Sequence, residues 1–559
     1  MLRDPLLNKG TAFTHEERQA FDLEGLLPHR AVTIEEQADR VFQGLGRLDD
    51  PLEKYISLAA LQDRNEYLYF YLLRQNLETL LPIVYTPTVG LATMRFSHVF
   101  QRGRGVWITP ATAGSVAATL RRAARSRKIK LIVVTDNESI LGLGDQGAGG
   151  IEISIGKLAI YTAAAGIDPA TVLPVSLDVG TENQSLLDDP MYLGWPERRL
   201  RGEQYDALVE EFVCAVQSEF PGALIQWEDF RKDNALRVMD RYQSRVLSFN
   251  DDIQGTGAVA LAGLLSAQKI HGRPLTQERI LIVGAGAAGL GIFRQIRNAL
   301  HEEGLADEEL DRAIAVLDSH GLVVNDRALS DDYKREFAWS PSLARRWNLD
   351  GPDRGLEVVC GRYQPTVLIG TSGHRGAFSE SVVRSLMRST ERPVILPMSN
   401  PTEFSEATPQ DLFDWTNGRA LIAAGSPFAD VTVSGRKQAV GQANNAFIFP
   451  GVGLGALLSG TERITDSLFY AAGRALTESV TEEELESGLL YPAISRLHEV
   501  SLQVARQVIK CAVETGLVAT ISDSQIEELL AQVWVPAYPL YEQAPASRSR
   551  KDNGAVFRE

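Results

Sequence analysis

The sequence predicts an α/β protein with two parallel-sheet domains flanked by helical N-terminal and C-terminal segments. Three observations carry this. From about residue 128, short β-branched runs alternate with amphipathic helices, as parallel strands joined by crossover helices require. A second series of the same kind opens with a glycine-rich turn set between a strand and a helix. Outside these two series the apolar positions recur at helical spacing, with no strand runs.

Residues 1 to about 100 carry repeated short helix starts, such as Thr33-Ile-Glu-Glu and Pro51-Leu-Glu-Lys. The segment ends in Leu81-Pro-Ile-Val-Tyr-Thr-Pro-Thr-Val-Gly90, whose prolines predict a turn or extended loop. The first α/β series then has strands at Lys130-Leu-Ile-Val-Val-Thr135, Thr171-Val-Leu-Pro-Val-Ser-Leu-Asp178, Ala223-Leu-Ile-Gln-Trp227 and Val246-Leu-Ser-Phe249. An apolar helix over 257–270 separates it from the second series, with strands at 279–283, 313–318, 366–370, 394–398 and 420–424. Beyond Pro450 the pattern is helical again, and a Pro-, Ser- and charge-rich tail from about Pro536 predicts a partly disordered surface arm. The resulting division is a helical segment over 1–101, a catalytic or substrate α/β domain over 102–252 plus 440–511, a dinucleotide domain over 253–439, and a C-terminal helix and tail over 512–559.

Composition narrows the function. The chain has 559 residues, and its net charge of −16 argues against nucleic acid or an anionic membrane surface as partner. Cys214, Cys360 and Cys511 stand far apart without CxxC spacing, so neither a disulfide framework nor a zinc site is expected. No apolar stretch approaches membrane-spanning length, and the start MLRDPLLNKG lacks the apolar core of a signal peptide, so a cytoplasmic protein is expected. The basic stretch from Arg121 to Lys130 has no interleaved aromatics and reads as a solvated helix end. The histidines are scattered, with no pair at metal-ligand spacing.

Ile280-Leu-Ile-Val-Gly-Ala-Gly-Ala-Ala-Gly289 is a dinucleotide-binding fingerprint in its proper strand–turn–helix setting. Gly284 permits the tight turn, Gly286 lets the backbone approach a pyrophosphate, and Gly289 allows close helix–strand packing, so a Rossmann-like domain is expected. Asp318, ending the next strand, would accept from a ribose 2′-OH and favours NAD; Lys334 and Arg335 are alternative partners for a 2′-phosphate, or solvated surface charges.

Glu228 and Asp229 directly follow one predicted strand, and Asp251 and Asp252 directly follow the next. Carboxylates gathered at successive strand ends suit Mg²⁺ or Mn²⁺, because hard oxygen donors without His or Cys disfavour zinc. Acids at strand ends also serve as helix N-caps, and that reading stays open. Lys157 is the single cation at the start of an apolar helix that follows the glycine-rich run Ile140-Leu-Gly-Leu-Gly-Asp-Gln-Gly147. Burial would depress its pKa and suit it as a base, and a snorkelling surface lysine is the alternative. Tyr85, in the proline-punctuated run, could donate a proton or simply pack.

Taken together, these stretches closely resemble the malic enzyme family. The matching residues are Ile83-Val-Tyr-Thr-Pro-Thr-Val-Gly90, the run from Ile140 to Gly147, Gly156-Lys157, Trp227-Glu-Asp-Phe230, Phe249-Asn-Asp-Asp-Ile-Gln-Gly-Thr256, Ser399-Asn-Pro-Thr402 and Asn444-Asn-Ala-Phe-Ile-Phe-Pro-Gly-Val-Gly453. They span nearly the whole chain in the family's order, and the length suits the bacterial NAD-type branch. The resemblance implies oxidative decarboxylation of L-malate to pyruvate and CO₂ with NAD and Mg²⁺ or Mn²⁺. It implies Glu228, Asp229 and Asp252 as metal ligands, Lys157 as the base for the C2 hydroxyl with Asp251 as its charged neighbour, and Tyr85 as the acid that protonates the enol. Asn400 matches an asparagine at the nicotinamide, and Asn444 and Asn445 match the substrate contacts. It also implies a homodimer or homotetramer, assembled partly through the N-terminal helices. Ser139 departs from the pattern, since many relatives carry an arginine there that would clamp a carboxylate. Two alternatives remain: malolactic chemistry, which releases L-lactate and retains the cofactor, and a non-catalytic dinucleotide sensor.

Overall fold

The structure is a computed structural model that describes residues 1–140, 142–329, 331–433 and 435–542. It divides into two compact units, Met1–Gln75 with the segment from Val535, and Asn76–Trp534.

In the first unit, the helices His15–Ala20, Ile34–Leu45, Pro51–Gln62 and Glu66–Gln75 start where local capping dictates. Thr14 with Glu17, and Thr33 with Glu36, form reciprocal capping boxes. Asp50 caps the third helix, with Pro51 at its first position. Lys9 and Glu17 form a buried ion pair, and the Lys9 ammonium lies 4.4 Å from the centre of the Tyr541 ring. Tyr538 donates to Gln37 at 2.7 Å and accepts from Asn65 at 2.7 Å. The expected disordered arm is therefore corrected for its first residues, which these side-chain contacts hold in place; the rest of the tail lies outside the described residues.

The second unit holds two sheets. In the first, β1 (Val106–Ile108), β2 (Leu131–Thr135), β3 (Val172–Leu177), β4 (Leu224–Glu228) and β5 (Ser248–Asn250) lie in the order β1-β3-β2-β4-β5, all parallel. Residues at both faces of β2 and β4 are buried, as sheets covered on two sides require. Thr135 at the end of β2 stands opposite Ser176 of β3 and Glu228 of β4, so the polar residues meet along one edge.

The second sheet contains β6 (Ile280–Val283), β7 (Ile314–Asp318), β8 (Gly321–Leu322), β9 (Val367–Gly370), β10 (Val394–Pro397) and β11 (Leu421–Ala424); β12 (Val431–Val433) and β13 (Arg436–Gln438) form a separate antiparallel hairpin, and β14 (Gly441–Gln442) closes the sheet. Its order is β14-β11-β10-β9-β6-β7-β8, with only β8 antiparallel. Strand order reverses between β6 and β9, which is where doubly wound sheets bind dinucleotides. The α/β class with a Rossmann-like domain and helical flanks is thus as predicted.

All nine predicted strands are present, while β1, β8, β12, β13 and β14 were missed because strands of two or three residues carry no readable period. The expected loop over 81–90 is corrected. Pro82 lies within the helix Leu77–Val84, a second helix runs over Thr88–Met94, and only Tyr85 to Pro87 forms the turn, with a cis bond before Pro87. Pro82 is the sixth of its eight residues and forgoes the bond an N–H there would make to the Glu78 carbonyl, and the helix ends two residues later at Val84.

Candidate active site

The carboxyl ends of β4 and β5 bring the acids together. Asn250 takes the capping role at β5, its side chain accepting from the Ile253 amide at 3.0 Å. A π-helical turn, Asp251–Gly255, then leads into the helix Thr256–His271. The acids at β4 are not caps either: the next helix begins at Lys232 and its N-cap residue, Arg231, makes no side-chain capping bond. The N-cap reading of these carboxylates therefore fails. Asp229 adopts a φ of +55°, a conformation uncommon outside glycine, and its amide donates to Asp252 at 2.8 Å. One oxygen from each of Glu228, Asp229 and Asp252 lies within 4.8 Å of the others.

Lys157 projects into this cluster from the helix Ile151–Ala165 and is 2% exposed, so the snorkelling alternative is excluded. Its ammonium lies 2.5 Å from Asp251 and 2.8 Å from Glu228. The same helix packs closely against the Tyr85 segment because residue 156 is glycine: a Cβ there would meet the Val84 carbonyl at 2.8 Å. The expected low pKa is corrected. Burial pulls the Lys157 pKa down, but the Asp251 and Glu228 carboxylates outweigh it and hold the amine protonated, well above its ordinary range. Burial and the surrounding acids push the Glu228 carboxyl up, and Asp252 is raised to about 6, chiefly by burial. Tyr85, 6% exposed, has its ring 5.4 Å from the Lys157 ammonium; burial pushes its hydroxyl pKa up against the pull of that ammonium.

A cavity of about 240 Å³ is lined by Tyr85, Lys157, Glu228, Asp229, Asp252, Asn400, Asn444 and Asn445. Asp251 lies behind Lys157, and Asn445 donates to its carboxylate at 3.1 Å. The Asn444 side chain accepts from the Ala446 amide at 2.9 Å, and Asn400 accepts from Ser426 at 2.5 Å. Ser139 lines the same cavity, and Lys157 is the only cation among its described lining residues.

Ala288, in the first turn of the helix Ala287–Glu302 after β6, and Thr371, directly after β9, bring the second sheet to this cavity. Gly284 has φ +125°, and a Cβ there would meet the Thr371 carbonyl at 2.5 Å; one at Gly289 would meet the Gly284 carbonyl at 1.9 Å. A Cβ at Gly286 would meet nothing within 4 Å, which leaves the backbone open to a phosphate. Asp318 is bound by Arg327 at 2.7 Å and Lys334 at 2.8 Å, whereas Arg335 pairs with Asp332 on the surface.

Two groups escaped the sequence reading. Tyr161 donates to the Gln226 carbonyl, and Gln226 in turn donates to Glu228 at 2.7 Å. A hydroxyl donor on the amide oxygen fixes the flip of that amide and so orients Glu228. The available signals were a glutamine inside an apolar strand and a tyrosine one helical turn after Lys157. Glu406, fully buried, accepts from Ser372 at 2.8 Å and Ser399 at 2.6 Å and buttresses the turn before Asn400; nothing in its polar surroundings marked it out.

Comparison with known proteins agrees along the chain. The profile described as malic enzyme, N-terminal domain, matches residues 62–243, and malic enzyme, NAD binding domain, matches 253–513. The NAD-dependent malic enzyme of Acinetobacter baylyi is 42% identical over 547 residues, covering 98% of this chain and 96% of the relative. That of Vibrio campbellii is 43% identical, with 97% of each chain covered. Among solved structures, the Entamoeba histolytica malic enzyme superposes with a TM-score of 0.55 at 24% identity, covering 81% of this chain and 79% of that one. The Pyrococcus horikoshii malic enzyme does so with 0.54 at 22%, covering 81% and 88%. These distant structures bear on the fold alone. With both profiles in sequence and near-full-length identity above 40%, the chain belongs to the malic enzyme family.

Proposed function

We propose that this protein catalyses the NAD-dependent oxidative decarboxylation of L-malate to pyruvate and CO₂, assisted by Mg²⁺ or Mn²⁺. One observation carries the reading: a three-carboxylate cluster, a buried lysine with two acid partners and a buried tyrosine share one cavity with residues from the dinucleotide turn. The relatives, named NAD-dependent malic enzymes, do not favour the lactate-releasing alternative. A sensor has no need of a base, an acid and a cation cluster at one point.

The donor set fits a hard divalent cation, since three carboxylate oxygens converge in a cavity where Lys157 is the one cation among the described lining residues. Glu228, Asp229 and Asp252 would hold it, and it supplies Lewis acidity at the substrate while offsetting the negative charge that keeps Lys157 protonated. Gly284, Gly286 and Gly289 would cradle NAD, with Asp318 on the ribose side and Asn400 at the nicotinamide end, and the cofactor would supply the hydride acceptor. Lys157 as the free amine takes the C2 hydroxyl proton, and Asp251 and Glu228 stabilise the ammonium that forms. Tyr85 keeps its proton because its pKa is raised, and delivers it to the enol carbon after CO₂ leaves. Asn444 and Asn445, with Ser139 in place of a cationic clamp, hold the substrate carboxylate by neutral donors. The reading takes residues 102–252 with 440–511 as the substrate domain, 253–439 as the NAD domain, and 1–101 and 512–559 as helical flanks of a cytoplasmic homodimer or homotetramer.

The test is NADH absorbance with purified protein, L-malate, NAD and Mn²⁺, alongside a pyruvate and lactate assay and an EDTA control. EDTA-sensitive NADH matched by pyruvate is expected. Lactate without NADH would replace the reading by malolactic chemistry, and neither product would overturn it.

A further inference from the structure

After β10 the chain runs through a 3₁₀ turn, Thr402–Phe404, to the helix Pro409–Trp415. Ser399 and Asn400 line the Lys157 cavity from the start of this loop, and Thr371 lines it from the end of β9. The loop belongs to no sheet ladder, so the contacts that tie its ends decide where Asn400 stands.

Glu406 ties them, and it is fully buried. One of its carboxylate oxygens accepts from the Ser372 amide at 2.8 Å, the Ser372 hydroxyl at 2.9 Å and the Ser399 hydroxyl at 2.6 Å. The other accepts from the Ser399 amide at 3.4 Å. The Ser399 hydroxyl accepts in turn from the Gly373 amide at 2.9 Å. Beside Ser372, the Thr371 hydroxyl donates to the Gly284 carbonyl at 3.2 Å. A single carboxylate thus joins the turns after β9 and β10, and Thr371 carries the connection on to the glycine turn after β6. A carboxylate accepts at both oxygens and donates from neither, which a neutral amide of the same shape does not. β9 ends in glycine to make room: a Cβ at Gly370 would stand 2.4 Å from the Glu406 carboxyl carbon. The Ser426 hydroxyl donates to the Asn400 side-chain oxygen, which fixes the flip of that amide and leaves its NH₂ to donate to a ligand.

We propose that Glu406 is a positioning residue for hydride transfer: it sets the separation of the β9 and β10 turns and, through Ser399, the place of Asn400 at the nicotinamide ring. The proposal rests on the NAD-dependent reaction proposed above. Misplacement of a reacting group by about 1 Å costs up to about a hundredfold in rate. A cofactor fragment without nicotinamide does not feel that shift.

The experiment measures kcat/KM for NAD at saturating L-malate and Mn²⁺, with ADP-ribose affinity by titration calorimetry, for the full-length wild type, Glu406→Gln and Glu406→Met. In Glu406→Met, kcat/KM is expected to fall by about tenfold or more while ADP-ribose affinity stays within about twofold. Glu406→Gln keeps one oxygen for the Ser372 and Ser399 donors, and a smaller loss is expected. Equal losses for NAD and ADP-ribose would make Glu406 a structural residue of the whole domain and overturn the proposal, as would unchanged kcat/KM. Should Glu406→Met show no cooperative unfolding transition in urea, Glu406→Gln decides: a fall of about threefold or more with ADP-ribose unchanged supports the proposal, and no fall overturns it. A wild type without turnover would remove the proposed reaction and this inference together, whereas an active wild type with unaffected variants removes this inference alone.

Discussion

Two buried acid clusters stand side by side on the same sheet edge and differ in one respect, their charge balance. At the end of β2, Asp136, Glu138 and Asp145 surround Arg199, whose side chain is fully buried, at 3.8, 3.4 and 3.4 Å, and Arg201 and Arg231 add 2.7 and 3.6 Å contacts to Glu138. Three acids meet three guanidinium groups. At the ends of β4 and β5, Glu228, Asp229, Asp251 and Asp252 gather around the cavity, and Lys157 pairs with Glu228 and Asp251. The first cluster is a fastening: it locks the loop that begins at Asp136 and reaches Asp145. The second, with four acids around one described ammonium, is the cluster that the proposed function assigns to a divalent cation. Acid clusters with a full set of guanidinium partners hold structure, while an uncompensated one beside a cavity marks chemistry.

The sharpest break in this comparison is Lys157→Ala. Turnover should fall by about 10²- to 10⁴-fold, the range for loss of a positioned base, while NAD affinity measured by fluorescence titration stays within about twofold. Turnover close to that of the wild type would sink the assigned role of Lys157. The same kind of deletion at the other cluster should act on stability instead. Arg199→Met leaves three acids without their central partner and should lower unfolding free energy by about 3–5 kcal/mol in urea denaturation. A loss of less than about 1 kcal/mol would mean that the cluster does not fasten the loop.

A smaller effect separates the clusters by pH. Asp252 is raised to about 6, so proton and cation compete for its carboxyl below that value. Mn²⁺ affinity, followed by electron paramagnetic resonance, should fall by at least about tenfold per unit as pH drops below about 6, since Glu228, also pushed up, competes for its own proton. For the metal-free protein the sign is opposite in sense. A carboxyl that binds its proton more tightly when folded contributes stability at low pH, and that contribution is lost as pH rises through about 6. Affinity that does not change across this window would place the cation elsewhere.

Much of this was legible in the sequence. The strands from 130 to 424, the glycine turn at Gly284, Gly286 and Gly289, and the acids after β4 and β5 follow from local patterning, because burial on both faces of a parallel sheet forces contiguous β-branched runs and places polar residues at the strand ends. The resemblance added the order of the motifs. What sequence could not supply were relations between distant residues. The Lys157 pKa was expected to fall with burial, yet Asp251 and Glu228, 94 and 71 positions away, reverse its direction. The Tyr161–Gln226–Glu228 chain and the Glu406 buttress arise only when helix and strand, or two strand ends, are packed together. Likewise Asp178 and Asp136 are both acids after apolar strands, and sequence does not distinguish them; the Tyr205 hydroxyl donates to one, and the Trp195 amide donates to the other. Local pattern therefore determined which residues lie at the sheet edge. Tertiary packing decided which of their charges are matched, because Coulomb energy and desolvation depend on separation in space and on exclusion of water, and neither is written in the spacing along the chain.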